Sequence, residues 1–291
     1  MTLPTPGESF EWHQVSGRPA LVCLPLAPFA PHLFTTQTWA LGHRPSSPAD
    51  EASAWEEVAR GLGVSPARLV RARQVHGSTV LVGTSTCPPD ARSDADVIVV
   101  AEPGVGAAVQ TADCVPMLVV DRKTNAVAAA HAGWRGMVAN VPRVTVDALA
   151  RMFGSLTTDL LVALGPSIGA CCYEVGDEVR EQFSRAGVGT AALDRWFTSL
   201  PRPDALNPPC ARVLDTPRRS GFWFFDGWAA VREQLIGAGV PPAQIFSAQV
   251  CTASHAETCC SYRRDGAPAG RMVGAIRCVQ AKAGTAASRL V

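Results

Sequence analysis

The sequence predicts an α+β fold, in which a mixed β-sheet core carries a central hairpin and helices pack on its outside. The first observation is a pair of apolar runs, residues 115–120 and 126–130, on either side of a polar turn, a pattern typical of a buried β-hairpin. The second is the segment 136–153, whose apolar residues recur at helical spacing. We expect this helix, and two more at residues 174–186 and 226–237, to pack outside the sheet.

The N-terminal part of the chain is predicted to contain mainly strands and one long helix. Ser47 and Pro48 are residue types favoured at the N-cap and first position of a helix, and Gly61 is expected to end it. Residues 74–78 are predicted to form a hairpin-like turn with His76 at its corner. The predicted strands are residues 20–24, 32–39, 69–75, 79–82, 96–101 and 106–110, and residues 84–94 are a predicted loop.

The C-terminal part is predicted to alternate strands with helices. Asp226 is a residue type that caps helices and starts the helix at 226–237. Residues 201–217 are rich in proline and are expected to form a loop or a subdomain boundary. We expect residues 1–291 to form one domain, or two intertwined α+β subdomains. The remaining predicted elements are strands at 160–164, 245–250 and 272–276 and a frayed tail at 281–291.

Composition and charge describe an ordinary globular protein that acts on a small molecule. Of the 291 residues, 47% are hydrophobic and 18% are charged, and the net charge of +1 offers no electrostatic basis for binding nucleic acid or an anionic membrane. No apolar stretch is long and uninterrupted enough to span a bilayer, and no signal peptide is apparent. We therefore expect a cytoplasmic monomer whose ten cysteines are mostly reduced.

The hairpin carries a candidate site at its open end. If its two strands pair about the polar turn, Cys114 at one base and His131 at the other come close together. A thiolate beside an imidazole is typical either of a metal site or of a cysteine nucleophile with its base. The hairpin alone leaves both interpretations open.

Five motifs in this order resemble the YfiH/LACC1 family, once called multicopper polyphenol oxidases. The resemblance extends from about residue 69 to residue 277, and the combination is specific although no single motif is. The motifs are Gln-Val-His-Gly at 74–77, Thr-Ala-Asp-Cys-Val-Pro at 111–116, Ala-His-Ala-Gly-Trp-Arg-Gly at 130–136, Leu-Gly-Pro-Ser-Ile-Gly-Ala-Cys-Cys-Tyr-Glu-Val-Gly at 164–176 and Ser-Tyr-Arg-Arg-Asp-Gly at 261–266.

The resemblance implies a YfiH-like fold, similar to that of cysteine-hydrolase toxins, and a purine nucleoside phosphorylase with adenosine deaminase activity. It also implies a role in peptidoglycan editing in some bacterial members. The zinc ligands of the family correspond to His76, Cys114 and His131, with copper as the alternative metal. Three protein ligands leave a fourth position for water or substrate, which is typical of a catalytic zinc.

Side chains near these motifs are candidates for substrate binding. Arg135 and Arg264 are the predicted phosphate ligands, because a guanidinium holds anions through paired hydrogen bonds. Trp134 suits either packing at a helix start or stacking on a base. Asp113 suits equally a hydrogen-bond anchor and a general acid. The vicinal pairs Cys171-Cys172 and Cys259-Cys260 lack the spacing of metal ligands and are interpreted as packing.

The chain departs from the family pattern in three places, which predicts an altered substrate site and a weakened phosphorolysis. Residues 36–40 replace a Gly-Gly-x-Ser segment, and Cys259-Cys260 stands where aromatic residues precede the last motif. Trp55-Glu56 replaces an Asn-Arg pair, which removes a candidate phosphate contact and adds a repelling carboxylate.

Other functional classes remain as alternatives. A metal-free cysteine hydrolase or deamidase would use Cys114 as nucleophile and His131 as base. A peptidoglycan-precursor editing hydrolase, which the family resemblance implies, is a further alternative. A multicopper centre needs many imidazoles, and of the six histidines those other than His76 and His131 fall in unrelated contexts. His255-Ala256-Glu257 matches the start of a nucleobase-deaminase signature but lacks its downstream Pro-Cys-x-x-Cys. A non-enzymatic interaction protein is the remaining alternative.

Overall fold

The structure is a computed structural model, which describes residues 2–42, 47–86, 93–215 and 219–280. The strands are β1 (Phe10–Val15), β2 (Arg18–Cys23), β3 (His32–Thr35), β4 (Leu69–Val70), β5 (Val80–Gly83), β6 (Val97–Val100), β7 (Gly106–Thr111), β8 (Val115–Asp121), β9 (Val127–Ala132), β10 (Leu160–Leu164), β11 (Glu174–Gly176), β12 (Phe197–Thr198), β13 (Phe222–Phe225), β14 (Ile245–Ser247) and β15 (Met272–Arg277). The helices are α1 (Pro48–Leu62), α2 (Trp134–Val138), α3 (Val141–Phe153), α4 (Asp177–Arg185), α5 (Thr190–Trp196), α6 (Ala211–Leu214), α7 (Gly227–Gly237) and α8 (Tyr262–Asp265).

Two six-stranded mixed sheets form the core. Sheet 1 has the strand order β1-β2-β3-β15-β7-β4, and sheet 2 has the order β14-β10-β8-β9-β6-β5. Each sheet is mixed because parallel pairs, β4 with β7 in sheet 1 and β10 with β14 in sheet 2, lie beside antiparallel ones. A small third sheet has the order β11-β13-β12. The α+β prediction is confirmed, with the refinement that the core contains two sheets where the sequence indicated one.

The two large sheets pack face to face between layers of helix. Along β8, Met117 and Val119 join the core under α3 and α7, whereas the alternating residues Leu118 and Val120 join the core shared by the two sheets. This alternation follows from the two-residue period of a strand. On the outer face of sheet 1, Val58 of α1 belongs to a third apolar cluster. The order of layers is therefore helix, sheet 1, sheet 2, helix.

The predicted central hairpin is confirmed. Strands β8 and β9 pair antiparallel, with Val115 opposite Ala132 and Val120 opposite Val127. Asp121 closes the polar turn between them. Its carboxylate accepts hydrogen bonds from the backbone N–H groups of Lys123 and Thr124 at 2.7 and 3.1 Å. Both strands are buried along their whole length, because sheet 1 covers one face and helices cover the other.

The predicted helix start at Ser47 is also confirmed, and its end is shifted by two residues. Ser47 and Asp50 exchange side-chain to backbone hydrogen bonds in a capping box ahead of α1. The helix continues through Gly61 to Leu62, and the glycine that stops it is Gly63, which has a left-handed conformation with φ of +73°. Likewise, the carboxylate of Asp226 accepts a hydrogen bond from the backbone of Ala229 and caps α7, as predicted.

The hairpin predicted between residues 69–75 and 79–82 is wrong. Strand β4 pairs with β7 in sheet 1, and β5 pairs with β6 in sheet 2, both in parallel. The segment between them therefore crosses from one sheet to the other. A turn with apolar strands on both sides does not reveal from sequence which partners those strands choose.

The predicted helix at 136–153 is divided into α2 and α3. Asn140 has φ of +57° and its side chain accepts a hydrogen bond from the backbone N–H of Arg143, which starts a new helix. Pro142 lies in the first turn of that helix, where its missing N–H costs nothing. Other predicted bounds also shift: β3 is followed by a 3₁₀ turn at Gln37–Trp39, residues 174–176 form a strand before α4, and β14 ends at Ser247.

Several further predictions can be compared with the structure. The Pro-rich segment contains only the short helix α6 among its described residues, and helix α5 and strand β13 were not predicted. The predicted tail at 281–291 and part of the predicted loop at 84–94 lie outside the described residues. No helix in the described ranges is long and apolar enough to cross a membrane.

Candidate metal centre and its cavity

Three residues singled out by the sequence converge at the open end of the hairpin. Cys114 directly precedes β8, His131 lies in β9, and His76 comes from the segment that crosses between the sheets. Their ligand atoms lie within 4.8 Å of one another. The Nε2 atom of His76 is 3.9 Å from the Sγ atom of Cys114, and the two imidazole rings meet edge to face with centroids 4.8 Å apart.

Asp96 holds both histidines in place from the start of β6. Its Oδ1 atom lies 2.8 Å from Nδ1 of His131 and accepts a hydrogen bond from the backbone N–H of His76 at 3.0 Å. Its Oδ2 atom accepts hydrogen bonds from the backbone N–H groups of Val75 and Gly77 at 3.2 and 2.7 Å. The hydrogen bond on Nδ1 of His131 directs Nε2 toward Cys114, as second-shell carboxylates do at metal sites.

Two more hydrogen bonds, both made by the side chain of Gln74, fix the segment that carries His76. Gln74 and Gln110 of β7 exchange hydrogen bonds, with Nε2 of Gln74 donating to one backbone carbonyl and its Oε1 accepting from one N–H, both at 2.7 Å. His76 itself has φ of +60°, a conformation that few non-glycine residues adopt. The hydrogen bonds that the backbone N–H groups of His76 and Gly77 donate to Asp96 hold this unfavourable turn, so that the imidazole faces the hairpin.

Gly133 lies against two of the three candidate ligands. A Cβ atom at this position would be 2.9 Å from Sγ of Cys114 and 2.9 Å from Cδ2 of His76. Both contacts are shorter than those that carbon atoms of folded proteins tolerate. Since Gly133 has an ordinary negative φ of −78°, close approach of the ligands, and not backbone conformation, requires a glycine here.

The charges of the site favour a thiolate beside an imidazolium. Burial opposes ionisation of the Cys114 thiol, but the charge of His131 and hydrogen bonds from both imidazoles outweigh burial and lower its pKa to about 6. Burial would lower the pKa of His131, yet the Cys114 thiolate and Asp96 raise it to about 9. Burial would also raise the pKa of Asp96, but hydrogen bonds from His131 and backbone N–H groups bring it below its ordinary value.

The three side chains fit a metal ion of the zinc type. Two imidazole nitrogens and one thiolate form a mixed nitrogen and sulfur ligand set, and the Asp96 hydrogen bond leaves Nε2 of His131 as the free ligand atom. A centre with several copper ions is not supported within the described ranges. There, His32 is bound to the backbone at Ala30 and Cys23, and no group of metal ligands other than the present one contains a histidine.

A cavity of about 590 Å³ opens over the three candidate ligands. Four arginines line it, and three of them already have partners: Arg73 pairs with Asp94, Arg263 donates to the carbonyl of Glu174, and Arg271 donates to nearby backbone carbonyls. The fourth is Arg135, whose guanidinium lies over the Trp134 ring, 4.2 Å from its centroid. Among the described residues, no acidic side chain or carbonyl is bound to it.

Arg264, the other predicted phosphate ligand, is placed differently. Its guanidinium donates hydrogen bonds to the backbone carbonyls of Thr252 and Cys259 at 2.9 and 2.8 Å and to the carboxylate of Asp265. It is not among the residues that line the cavity, whereas its neighbour Arg263 is. These contacts suit a residue that holds the turn around α8.

Asp113 behaves as a hydrogen-bond anchor. Asp113 has φ of +91°, so the backbone is irregular here and its side chain does not follow the alternation of faces of a regular strand. Its carboxylate accepts hydrogen bonds from Oγ1 of Thr252 and from the backbone N–H of Arg263, both at 2.6 Å. Burial raises its pKa, against the effect of these hydrogen bonds. Asp113 thus joins the segment before Cys114 to two remote segments.

The three departures from the family pattern lie away from the cavity wall. Both Trp55 and Glu56 belong to α1. Trp55 is buried, with the guanidinium of Arg71 over its ring, and Glu56 is exposed. Cys259 and Cys260 are buried in a small apolar cluster with Met272. Residues 36–40 form the 3₁₀ turn after β3. None of these residues belongs to the lining of the cavity.

Sequence reasoning missed Asp96, Gly133 and Tyr173 as parts of the site. Tyr173 lines the cavity beside the Arg263 guanidinium, which lies 5.0 Å from its ring centroid. An aspartate that precedes an apolar strand carries no local sign of a bond to His131, since the partner is 35 residues away. The signal that could have found Gly133 is its position inside the Ala-His-Ala-Gly-Trp-Arg-Gly motif.

The fold and site define an α+β protein in which one cysteine thiol and two histidine imidazoles meet at the wall of an open cavity. The family model described as multi-copper polyphenol oxidoreductase laccase matches residues 42–279. The chain belongs to this family, which includes the YfiH proteins.

Individual relatives agree with this assignment. The chain is 36% identical over 214 residues to a protein of Escherichia coli (strain K12) named purine nucleoside phosphorylase YfiH, which covers 74% of this chain and 75% of the relative. It is 34% identical over 221 residues to adenosine deaminase RL5 of an unknown prokaryotic organism, covering 74% and 76%. The crystal structure of YlmD from Geobacillus stearothermophilus superposes with a TM-score of 0.75 at 27% identity, covering 92% of this chain and 99% of that one.

Proposed function

We propose that this protein is a zinc-dependent purine nucleoside phosphorylase that also deaminates adenosine. Its substrates would be adenosine, inosine or methylthioadenosine, which phosphate would cleave to the free base and ribose 1-phosphate. The observation that carries the proposal is the convergence of His76, Cys114 and His131 on the wall of a cavity of about 590 Å³. Cavities of this size typically bind one small organic ligand. The names of relatives at 34 and 36% identity support the same chemistry.

His76, Cys114 and His131 would hold the zinc, with Asp96 orienting His131. When bound, the zinc would supply a Lewis acid at the wall of the cavity. The protein would contribute a fixed ligand geometry, because Asp96, Gln74 and Gly133 together leave His76 little freedom. The Cys114 thiol would give up its proton readily, since its pKa is already lowered to about 6.

Of the two arginines predicted to bind phosphate, we assign this role to Arg135. Phosphorolysis builds positive charge on the ribose, so an anion must be held close to the sugar. The Arg135 guanidinium lines the cavity and is bound to no acidic side chain or carbonyl among the described residues, which leaves its donors for an anion. The Arg264 guanidinium is engaged by Thr252, Cys259 and Asp265.

Aromatic side chains would bind the purine. Trp134, Tyr173 and Tyr262 line the same cavity and offer faces on which a base can stack. Burial raises the pKa of Tyr173, so its hydroxyl keeps the proton at neutral pH and can donate a hydrogen bond. A donor near the base would stabilise the negative charge that leaves with it.

A metal-free cysteine hydrolase is the second candidate, and one specific observation favours it. Cys114, His131 and Asp96 form a chain of thiolate, imidazole and carboxylate, with the pKa of the thiol lowered to about 6 and that of the imidazole raised to about 9. Such a chain activates a cysteine nucleophile. Editing of a peptidoglycan precursor would be hydrolysis of this kind.

One experiment separates these candidates. Zinc-loaded protein is incubated with adenosine, with and without phosphate, and adenine, inosine and hypoxanthine are separated by chromatography. Adenine formed only with phosphate supports phosphorolysis, and inosine in either mixture supports deamination. Loss of activity in chelator and its return with zinc would exclude the metal-free hydrolase. If neither product forms, the proposed function is refuted.

A further inference from the structure

Four cysteines from three remote segments meet in the interior, apart from the candidate active site. The Sγ atoms of Cys171, Cys172 and Cys251 lie within 4.8 Å of one another. The thiol of Cys210 is in hydrogen-bond contact with that of Cys172. All four are buried, with exposed fractions between 0% for Cys251 and 8% for Cys210. We call this group the cysteine cluster.

The interpretation of the Cys171-Cys172 pair as packing rested on its lack of ligand spacing. In the structure, two further thiols join this pair: Cys210 comes from the Pro-rich segment, and Cys251 comes from the segment after β14. Adjacent side chains in a strand point to opposite faces, but Cys171 and Cys172 lie in a turn. Both sulfurs therefore reach the same cluster.

Backbone N–H groups are directed at the sulfurs. The N–H of Cys210 donates to Sγ of Cys172 at 3.0 Å, and the N–H of Gly169 donates to Sγ of Cys251 at 3.2 Å. In addition, Oγ of Ser254 lies 3.5 Å from Sγ of Cys171 and 3.4 Å from Sγ of Cys172. Donors aimed at sulfur stabilise the thiolate form that metals bind. A purely apolar packing cluster has no need of them.

We propose that Cys171, Cys172, Cys210 and Cys251 form a second metal site, which binds one structural zinc ion through four thiolates. A set of four sulfurs leaves no open coordination position, which is the pattern of structural rather than catalytic zinc. The site is independent of the proposed function, because it shares no residue with the candidate active site. It also contains neither of the histidines on which the proposed zinc-dependent reaction depends.

The spacing of the sulfurs favours a single zinc ion over an iron–sulfur cluster. In a tetrahedron with zinc–sulfur bonds of about 2.3 Å, neighbouring sulfurs are about 3.8 Å apart. The sulfurs of Cys171, Cys172 and Cys251, which lie within 4.8 Å of one another, need only a small contraction to reach this value. The thiol of Cys210 joins them through its contact with Cys172. An iron–sulfur cluster instead places inorganic sulfide and several irons among the four thiolates, which spreads them further apart.

A zinc ion here would link three segments that support the cavity of the candidate active site. Thr252, next to Cys251, donates to Asp113, and Asp113 precedes Cys114. Tyr173, next to Cys172, lines the cavity itself. Cys171 also borders a separate cavity of about 340 Å³, which offers a route for the ion. The cysteine cluster would thus stabilise the floor of the active site without taking part in its chemistry.

The first test measures zinc in protein whose candidate active site is disabled by Cys114→Ala. In this background we expect about one zinc per chain by elemental analysis after gel filtration. Adding Cys171→Ser and Cys172→Ser should remove it. The matched control is Cys259→Ser with Cys260→Ser, a vicinal pair that is buried to the same degree but lies outside the cluster, and it should retain the zinc. Equal zinc in the two double variants would overturn the proposal.

This design also separates the second site from the proposed function. If the proposed active site binds no zinc, wild type and Cys114→Ala will contain the same amount, and the cluster variants will still lose it. If both proposals hold, wild type will contain about two zinc ions per chain and each set of substitutions will remove one. Zinc that disappears with Cys114→Ala alone would support the active site and overturn the cluster.

A second measurement uses wild-type protein, so its result does not depend on whether a variant folds. Wild-type protein, with and without a chelator, is alkylated under native conditions and the modified peptides are mapped. We expect Cys171, Cys172, Cys210 and Cys251 to become reactive together after chelation, while Cys259 stays unreactive in both samples. Equal protection of the four in both samples would contradict a metal site. So would a disulfide among them in freshly purified protein, or bound iron with visible absorption.

Discussion

The Oδ1 atom of Asp96 lies 2.8 Å from Nδ1 of His131, with both side chains almost completely withdrawn from solvent. The same oxygen accepts the backbone N–H of His76, so one carboxylate fixes two of the three candidate ligands. The backbone carbonyl of Asp96 also accepts the N–H of His131 at 2.8 Å. Asp96 therefore positions His131 through its side chain and its main chain together.

Replacement of Asp96 by Asn should weaken zinc binding while the protein remains folded. The amide removes the negative charge that favours the required imidazole tautomer, and loss of such an outer partner typically costs about 10- to 100-fold in metal affinity. The measurement is competition for zinc against a chelator of known affinity. Asp94→Asn is the control, because Asp94 binds Arg73 at the surface and contacts neither histidine. Unchanged affinity in Asp96→Asn would exclude the positioning role.

Replacement of Gly133 by Ala should displace the ligands directly. The added Cβ would meet Cys114 and His76 at 2.9 Å, and we expect zinc affinity to fall by about tenfold or more. Gly189 provides a matched control, since it also precedes a helix with a negative φ and a Cβ there would meet nothing within 4 Å. Similar losses in both variants would indicate a general effect of alanine at helix starts. Titration with zinc is the measurement for both.

Replacement of Arg135 by Gln should affect phosphorolysis and spare deamination. Loss of a charged hydrogen bond to phosphate typically costs about 1.5 to 3 kcal/mol, which corresponds to a roughly 10- to 100-fold rise in KM for phosphate. Adenosine deamination uses no phosphate, so inosine formation serves as an internal control in the same protein. Arg264→Gln should instead lower the melting temperature, because Arg264 holds backbone carbonyls. An unchanged phosphate KM in Arg135→Gln would remove the assignment.

In metal-free protein, the rate at which Cys114 is alkylated should depend on pH in the way expected of a thiol with a low pKa. The thiolate is the reactive form, so the rate should rise with pH, reach half its maximum near pH 6 and level off above it. The ordinary thiol value is 9.0, and burial raises the pKa of Cys259 above this, so Cys259 should stay unreactive over the same range. Zinc should protect Cys114 at neutral pH, where the ligands are deprotonated and hold the ion. A midpoint near the ordinary value would contradict the ion pair with His131.

The sequence predicted those parts of the site that depend on contacts between residues close together in the chain. The pairing of β8 with β9 follows from apolar runs around a short turn, so the approach of Cys114 to His131 could be predicted. The family motifs then added His76. Asp96 and the cysteine cluster depend on contacts between residues far apart in the chain, which a single sequence does not encode locally.

The errors in the fold have a similar physical origin. The apolar runs at 69–75 and 79–82 were assigned to one hairpin, although β4 and β5 find parallel partners in different sheets. Parallel pairing joins residues distant in sequence and leaves no turn signal. By contrast, the boundaries set by local hydrogen bonds, at Ser47 and Asp226, were predicted correctly.

The crossing segment between β4 and β5 has a mechanical consequence for the protein. His131 belongs to sheet 2 and Cys114 directly precedes a strand of that sheet, whereas His76 is carried by the connection that leaves sheet 1. An ion held by all three residues would cross-link the two sheets and resist sliding of one sheet over the other. The stiffness of the sandwich and the occupancy of the centre would then depend on each other, so that mutations which loosen the contact between the sheets would also release the ion.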